Sequence, residues 1–230
     1  MIKVKNISKS YKDAIVLNNV SLEINKGDFT AVMGPSGSGK STLLYSISSM
    51  DNPDEGEVIF EGIDVYKLSE SELSKFRLNK MGFVFQNSQM LKNLSIFDNI
   101  ILPGMVAKRE SIEVVRARAT ELMSKMGIED IKDRDIREVS GGQLQRAAIC
   151  RAMINSPEIL FMDEPTGALN SEAASQVMEI LKKLNQEGIS IMLVTHDAKM
   201  ASMAKKVIYI KDGKLAGEIK LSNEKEALAE

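Results

Sequence analysis

One cysteine, Cys150, is all that the 230-residue chain carries, which excludes an internal disulfide framework and fits a reducing compartment. Long apolar runs are missing as well. Ile189 to Val194 and Ile159 to Met162 fall far short of the ~18 residues that suggest a membrane span, so any membrane involved is supplied by another chain. The N-terminus, MIKVKNISKSY, lacks the apolar stretch of a signal peptide and alternates like a strand, so no export is implied. No sign of charge dominates either. Lys and Arg total 30 against 32 Asp and Glu, a formal charge of −2, and no broad basic field makes nucleic acid the main partner. The length permits one large domain, or a core with a small subdomain, around a sizeable hydrophobic centre.

Against these absences stands Gly34-Pro35-Ser36-Gly37-Ser38-Gly39-Lys40-Ser41-Thr42, which fits the phosphate-loop pattern G-x-x-x-x-G-K-[ST]. It follows the apolar run Phe29 to Met33, a buried strand, and leads into a helix from Lys40 to about Ser49. Glycines and small residues let successive backbone N–H groups turn inward, and the helix start presents its unpaired donors to the same anion. A polyphosphate is the natural guest. Lys40 adds a point charge near the outer phosphates, and the Ser41 hydroxyl is a hard oxygen suited to Mg²⁺.

Ahead of the loop, Ile2 to Ile7 and Val16 to Ile24 read as short strands, with Tyr11 on the connection between them. Its ring can stack on a purine or be an ordinary half-exposed turn tyrosine. Beyond the loop come a strand at Val58 to Phe60 and a helix opened by Ser69 and Glu72 at capping-box spacing, with Leu73, Phe76 and Leu78 toward a core. Met81 to Gln86 is a further strand. Gln86 at its exit can offer an amide oxygen to a metal, or be a surface glutamine.

From Asn87 to about Met126 the pattern turns helical, broken at Pro103-Gly104. Met90, Leu91, Leu94, Ile96 and Phe97 lie exposed near a polar loop. Ile112, Val115, Ala119, Leu122, Met123 and Met126 follow helical spacing, and Gly127 caps the end. Ser140 then N-caps another helix that begins Gly141-Gly142-Gln143, either a second anion site with room for a ligand or a loosely capped helix.

Four apolar residues, Ile159 to Met162, end in Asp163-Glu164, a buried parallel strand that delivers two acids to the ligand edge of an α/β sheet. Alternation turns adjacent side chains different ways, so Asp163 can face a metal shell and Glu164 an attacking water. A helix from Ser171 to Glu187 and a strand from Ile189 to Val194 follow. His196, the only histidine, comes directly after that strand and reads as a phosphate sensor, with an ordinary surface or core histidine as the other reading. Val207 to Ile219 forms a hairpin around Asp212-Gly213, and the polar tail from Ser222 is a short helix or a frayed end.

Taken in order, Tyr11, GPSGSGKST, Gln86, Val139 to Gln143 (VSGGQ), Ile159 to Glu164 (ILFMDE), Gly167 to Asn170 (GALN) and His196 resemble the nucleotide-binding subunit of an ATP-binding cassette (ABC) transporter. The resemblance covers nearly the whole chain. It implies an α/β P-loop NTPase core, a parallel-rich sheet with flanking helices, joined by an N-terminal antiparallel β subdomain and an inserted α-helical subdomain. The single ABC ATPase domain would then comprise core and β subdomain over 1–86 and 158–220, a helical signature subdomain over 87–157 and a tail over 221–230. It also implies a head-to-tail dimer of two copies with two ATP molecules between them, each held by the phosphate loop of one copy and by Ser140 to Gln143 of the other. In the family's terms Tyr11 stacks on adenine, Ser41 and Gln86 ligate Mg²⁺, Asp163 holds it through water, Glu164 is the general base and His196 contacts the γ-phosphate. The expected place is the cytoplasm, peripheral at the inner face of a bacterial cell membrane, beside an integral membrane permease on a separate chain.

Two positions depart from the family's usual pattern: Val139 replaces a leucine, a mild packing change, and Asn170 replaces an aspartate, which removes a charge from a loop expected at the dimer interface. PTGALNSEAA resembles most closely the subunits that serve macrolide-type, lipoprotein-type and especially antimicrobial-peptide permeases. Two other functions share the motifs. A DNA-repair ATPase head needs a long coiled coil between loop and signature, and no sustained heptads occur from Thr42 to Val139. A subunit that drives a mechanical or signalling change without moving a solute has no distinguishing residue. The permease is expected to dock near Gln86 and Met90 to Phe97, with burial inside the helical subdomain as the other reading of that stretch.

Overall fold

The computed structural model describes residues 1–12 and 14–221, so the expected helical or frayed tail over 222–230 lies outside the described residues. The chain divides into two compact units, Met1–Leu68 with the described chain from Ser190 onward, and Ser69–Ile189.

The first unit opens with β1 (Ile2–Tyr11), β2 (Ala14–Ile24), β3 (Phe29–Met33), α1 (Lys40–Ile47), β4 (Glu55–Phe60) and β5 (Ile63–Asp64). An antiparallel sheet runs in the order β2-β1-β4-β5. Its core face is built by alternation: Ile2, Val4 and Ile7 of β1 are buried with Val20, Leu22 and Ile24 of β2 and with Val58 and Phe60 of β4. The register shifts after Val4 and again after Ile7. Asn6 and Asn19, both at positive φ, lie beside these irregularities, as expected of a residue that tolerates the left-handed region. β1 is longer than expected and ends at Tyr11, so Tyr11 is the last residue of a strand, paired with Ala14, rather than part of a connection.

The second unit holds α2 (Glu70–Lys80), β6 (Met81–Phe85), α3 (Ile96–Ala107), α4 (Ile112–Lys125), α5 (Gly141–Met153), β7 (Ile159–Asp163) and α6 (Ser171–Gln186). The capping box of α2 forms as its spacing implies, with the Ser69 N–H donating to Glu72 Oε2 at 2.9 Å and the Glu72 N–H to Ser69 Oγ at 3.4 Å. Only Leu73 of its apolar residues is buried; Phe76 and Leu78 are half-covered. β6 and β7 pair in parallel, and Phe83 stacks on Phe161 across them with ring centres 5.8 Å apart.

Two expectations fail between Asn87 and Met126. Helix does not begin until Ile96, because buried Asn99 organises the preceding turn: its Oδ1 accepts from the Leu91 N–H at 2.7 Å and its Nδ2 donates to the carbonyls of Leu91, Leu94 and Ser95. That turn carries Met90, Ile96 and Phe97 inward, with the Arg116 guanidinium 4.8 Å from the Phe97 ring centre, so these are core and not an exposed stripe. Leu91 stays at the surface, and Leu94 is half-covered. Nor does Pro103-Gly104 break the helix, since α3 runs through both residues. The Pro103 carbonyl accepts from Asn155 Nδ2 at 3.2 Å, and a Cβ at Gly104 would lie 2.6 Å from Val115 Cγ1, so tertiary contact overrides local propensity. On α4, Val115, Ala119, Leu122 and Met123 are buried as the spacing implies, and Ile112 is exposed at its first turn.

The first unit resumes with β8 (Ser190–Val194), α7 (Ala198–Ala201), β9 (Lys206–Lys211) and β10 (Lys214–Lys220). β3 pairs in parallel with both β8 and β9, and β9 turns back antiparallel to β10 through Asp212 and Gly213, both at positive φ. Phe29 to Val32 and all of β8 are buried, the continuous apolar pattern of parallel strands covered on both faces. An antiparallel β layer, parallel strands and flanking helices make this the α/β P-loop NTPase fold that the resemblance implies.

Candidate functional site

β3 ends at Met33 and the phosphate loop follows. Gly34, Gly37 and Gly39 all have positive φ, and two of them admit no side chain: a Cβ at Gly34 would meet the Ile210 carbonyl at 2.0 Å and one at Gly39 the Val16 carbonyl at 2.6 Å. Gly39 is also the N-cap of α1, in the left-handed region with no side-chain cap, so no side chain competes for the helix's first donors. Lys40 folds its ammonium onto the Gly34 and Pro35 carbonyls at 3.0 and 2.8 Å, fixing the positive charge inside the loop. Pro35, Ser36 and Gly37 are exposed, Ser38 is buried, and Ser41 and Thr42 lie half-covered on the first turn of α1.

His196 belongs to the same unit. The Thr195 N–H donates to the Val32 carbonyl at 3.1 Å, so β8 and β3 end side by side and His196 emerges, exposed, next to the strand end that feeds the loop. Asp197 anchors the residues beyond it by accepting from the N–H groups of Lys199 and Met200.

In the second unit Phe85 and Asp163 are register partners, which brings Gln86 and the Asp163-Glu164 pair to the same end of adjacent parallel strands. The Gln86 amide lies so close to Gly167 that a Cβ there would meet its Nε2 at 3.0 Å. Glu164 adopts φ 49°, a left-handed conformation that a glutamate enters at a cost, and its carbonyl accepts from the Gly167 N–H at 3.0 Å to close the turn. The alternation of the strand therefore stops at Asp163, and Glu164 is aimed by the turn. Asn170 N-caps α6, its Oδ1 accepting from the Ala173 N–H at 2.8 Å. Asparagine caps about as well as aspartate, so the departure noted there loses the charge and keeps the cap.

The segment Val139 to Gln143 opens α5 with a full capping box: the Ser140 N–H donates to Gln143 Oε1 at 2.9 Å, and the Gln143 N–H to Ser140 Oγ at 3.3 Å. Ser140 and Gly141 are exposed, and the loosely capped alternative does not describe this helix. Two residues of α5 that sequence reasoning missed hold the chain on either side of Gln86: Gln145 Nε2 donates to the Phe85 carbonyl at 3.2 Å, and Arg151 to the carbonyls of Ser88 and Gln89 at 2.5 and 2.7 Å. Nothing in a linear pattern points to pairs some sixty residues apart. Tyr11, 45% exposed, is the other place where partners were missed: its hydroxyl donates to Asp51, and the Lys9 ammonium lies 5.3 Å from its ring centre. Cys150 is buried in α5 and its thiol is pushed up to about 12 by burial, which leaves it inert at neutral pH.

A glycine-rich loop between a buried strand and a helix start, and an acid pair at the end of another buried strand, put the chain among the phosphate-loop ATPases. Within that class it belongs to the ABC transporter family, whose sequence model matches residues 17–167. It is 42% identical to the macrolide export ATP-binding/permease protein MacB of Campylobacter jejuni over 99% of this chain, and spans 35% of that protein's length. It is 41% identical to the lipoprotein-releasing system ATP-binding protein LolD of Aquifex aeolicus, covering 95% of this chain and 97% of LolD. Among solved structures it is similar to the dimeric ATP-binding cassette MJ0796 of Methanocaldococcus jannaschii in a post-hydrolysis state with ADP and Pi, at TM-score 0.90 and 41% identity, with 97% of this chain and all of that chain covered. The chain is an ATPase subunit of a transporter. Among the described residues no helix is long and apolar enough to cross a membrane.

Proposed function

We propose that this chain hydrolyses ATP as a head-to-tail dimer at the inner face of a bacterial membrane and so powers a permease on a separate chain, exporting or removing antimicrobial peptides, macrolides or lipid-like substrates. The observation that carries the dimer is the start of α5, where Ser140 and Gly141 are exposed and two glycines leave the first turn without side chains, a second candidate anion site in addition to the phosphate loop. The dimeric MJ0796 cassette supports it. The export reading rests on MacB and LolD, whose names state macrolide export and lipoprotein release, and the likeness to LolD along its length favours a separate permease. Leu91, 51% exposed, is the apolar side chain of the expected docking stretch that a permease helix can meet.

Within the dimer Lys40 and the loop amides bind the phosphates, Ser140 to Gln143 of the second copy close over them, and Tyr11 stacks on adenine. Glu164 takes the proton of the attacking water and His196 contacts the γ-phosphate. The donors assigned to Mg²⁺ are the hard oxygens of Ser41, Gln86 and Asp163. These oxygen donors fit the chemistry of Mg²⁺, which takes hard oxygen ligands and keeps several waters beside nucleotide phosphates. When bound, Mg²⁺ supplies charge neutralisation on those phosphates.

The test is reconstitution of the chain with its permease in vesicles. Stimulation of ATP turnover by one of the three substrate classes, with matching solute movement, is expected. Turnover coupled to a conformational change with no solute moved would replace export by a mechanical or signalling role.

A further inference from the structure

Tyr11 is the last residue of β1, and everything that fixes its ring belongs to the same compact unit. Its hydroxyl donates to Asp51 Oδ2, and Lys9 donates to Asp51 Oδ1 at 2.9 Å while holding its ammonium over the Tyr11 ring. Asp51 is itself fixed from behind: its carbonyl accepts from the Tyr66 hydroxyl at 3.1 Å and its N–H donates to the Tyr45 carbonyl at 3.2 Å. The turn it belongs to is docked on β1 a second time by Asp54, which accepts from the Ser10 N–H at 2.6 Å. The Asp51 side chain spends both oxygens on Tyr11 and Lys9, while the turn is joined to β1 at further points by Asp54 and by the Lys9 ammonium on the Asn52 carbonyl at 2.5 Å.

We propose that Asp51 and Lys9 are positioning residues for nucleotide binding, holding the Tyr11 ring in one orientation with the ammonium on one face and the other face presented to the adenine base. The proposal rests on the reading of Tyr11 as the base-stacking residue and adds what holds it. An exposed tyrosine at a strand end otherwise loses rotamer freedom when a base lands on it, which costs roughly 2- to 10-fold in affinity per side chain. Fixing the ring beforehand removes that loss, and the ammonium attracts the ring's electron-rich face. The hydrogen bond to Asp51, then burial, hold the Tyr11 phenol above its ordinary value, so it remains a neutral donor at working pH. Burial acts to raise the Asp51 carboxyl, but the Tyr11 hydroxyl and Lys9 together hold it below its ordinary value, so it remains a charged acceptor.

The purified chain is titrated by calorimetry with MgATP and with inorganic tripolyphosphate, which has the phosphates and no base. Tyr11→Ala tests the stacking itself and is expected to weaken ATP by about 5- to 100-fold with tripolyphosphate unchanged. Asp51→Asn, Lys9→Met and Tyr11→Phe are each expected to weaken ATP by about 2- to 10-fold and again to spare tripolyphosphate. Adding Asp51→Asn to Tyr11→Phe should change little further, because the contact is already gone. ATP affinity lost in Tyr11→Ala and retained in Asp51→Asn and Tyr11→Phe overturns the positioning role alone. Loss of ATP and tripolyphosphate affinity together in Asp51→Asn also overturns it, since that marks general damage to the loop. If Tyr11→Ala binds ATP as the parent does, the stacking reading fails and takes the positioning role with it. Should Asp51→Asn not fold, Lys9→Met and Tyr11→Phe still decide the matter: the hydroxyl that Tyr11→Phe removes meets Thr42 of the phosphate loop as well as Asp51, so a loss confined to ATP supports the positioning role and a loss shared with tripolyphosphate overturns it.

Discussion

The Gly213 N–H donates to the Ser38 carbonyl at 3.1 Å, so the turn of the β9–β10 hairpin is tied to the phosphate loop. The Gly213 carbonyl in turn accepts from the Asn18 N–H at 2.9 Å on β2, making the turn a bridge between loop and β layer. A Cβ at Gly213 would lie 2.5 Å from the Val16 carbonyl, and its φ of 71° disfavours any side chain. Gly213→Ala is expected to lower stability by about 1–3 kcal/mol and to weaken ATP binding through the displaced loop. Urea unfolding and an ATP titration on the same sample check both effects.

Glu164 is placed by its turn, not by the strand before it. Glu164→Gln keeps the shape and the turn and removes the proton acceptor. Hydrolysis is expected to fall by about 10²- to 10⁴-fold with ATP affinity retained. Phosphate release measured beside nucleotide binding separates these, and near-normal turnover would remove Glu164 from the role of base.

Gly104 lets α3 approach α4. A Cβ at this position would lie only 2.6 Å from Val115 Cγ1 and 3.4 Å from Ile154 Cγ1. Gly104→Ala therefore overpacks that contact and is expected to cost about 1–3 kcal/mol. Val115→Ala in the same chain opens the space, so the double variant should recover part of the loss relative to the sum of the singles. Chemical denaturation of the set measures the coupling.

Just before the signature segment, the Arg137 guanidinium and then the Arg137 backbone N–H hold the Asp135 carboxyl down to about 2 from its ordinary 3.8. A depressed acid contributes stability above its unfolded value and loses that contribution as pH falls through the folded one. The Asp135–Arg137 contact is therefore complete at neutral pH and fades between about pH 4 and pH 2. Arg137→Ala is expected to move the Asp135 midpoint up toward the ordinary carboxylate range, followed by carboxyl chemical shifts across an acid titration. An unmoved midpoint would break the assignment to Arg137.

What is readable in the sequence is what is local. Gly34 to Thr42 carries its strand, its glycines and its helix start in one contiguous stretch, and Ser69 with Glu72 or Ser140 with Gln143 close capping boxes over three residues. The strand ending at Asp163 and the hairpin turn at Asp212-Gly213 are of the same kind. The misreadings come from contacts and backbone turns that residue type and spacing do not display. Pro103 and Gly104 look like a stop until Asn155 and Val115 are in place, and Met90 and Phe97 look exposed until Asn99 and Arg116 fold the turn onto the core. Tyr11 looks like a connection residue because its partner Asp51 is forty positions away, and the left-handed turn at Glu164 has no signature in the residue itself.

In the proposed dimer the phosphate loop of one copy and the Ser140 helix start of another make one catalytic site. ATP turnover per molecule, measured on the purified chain over a dilution series that spans its dimerisation range, tests it most directly. Specific activity is expected to rise with protein concentration and then level off once the dimer is formed. Specific activity that stays constant down to concentrations at which light scattering finds only monomer would contradict it.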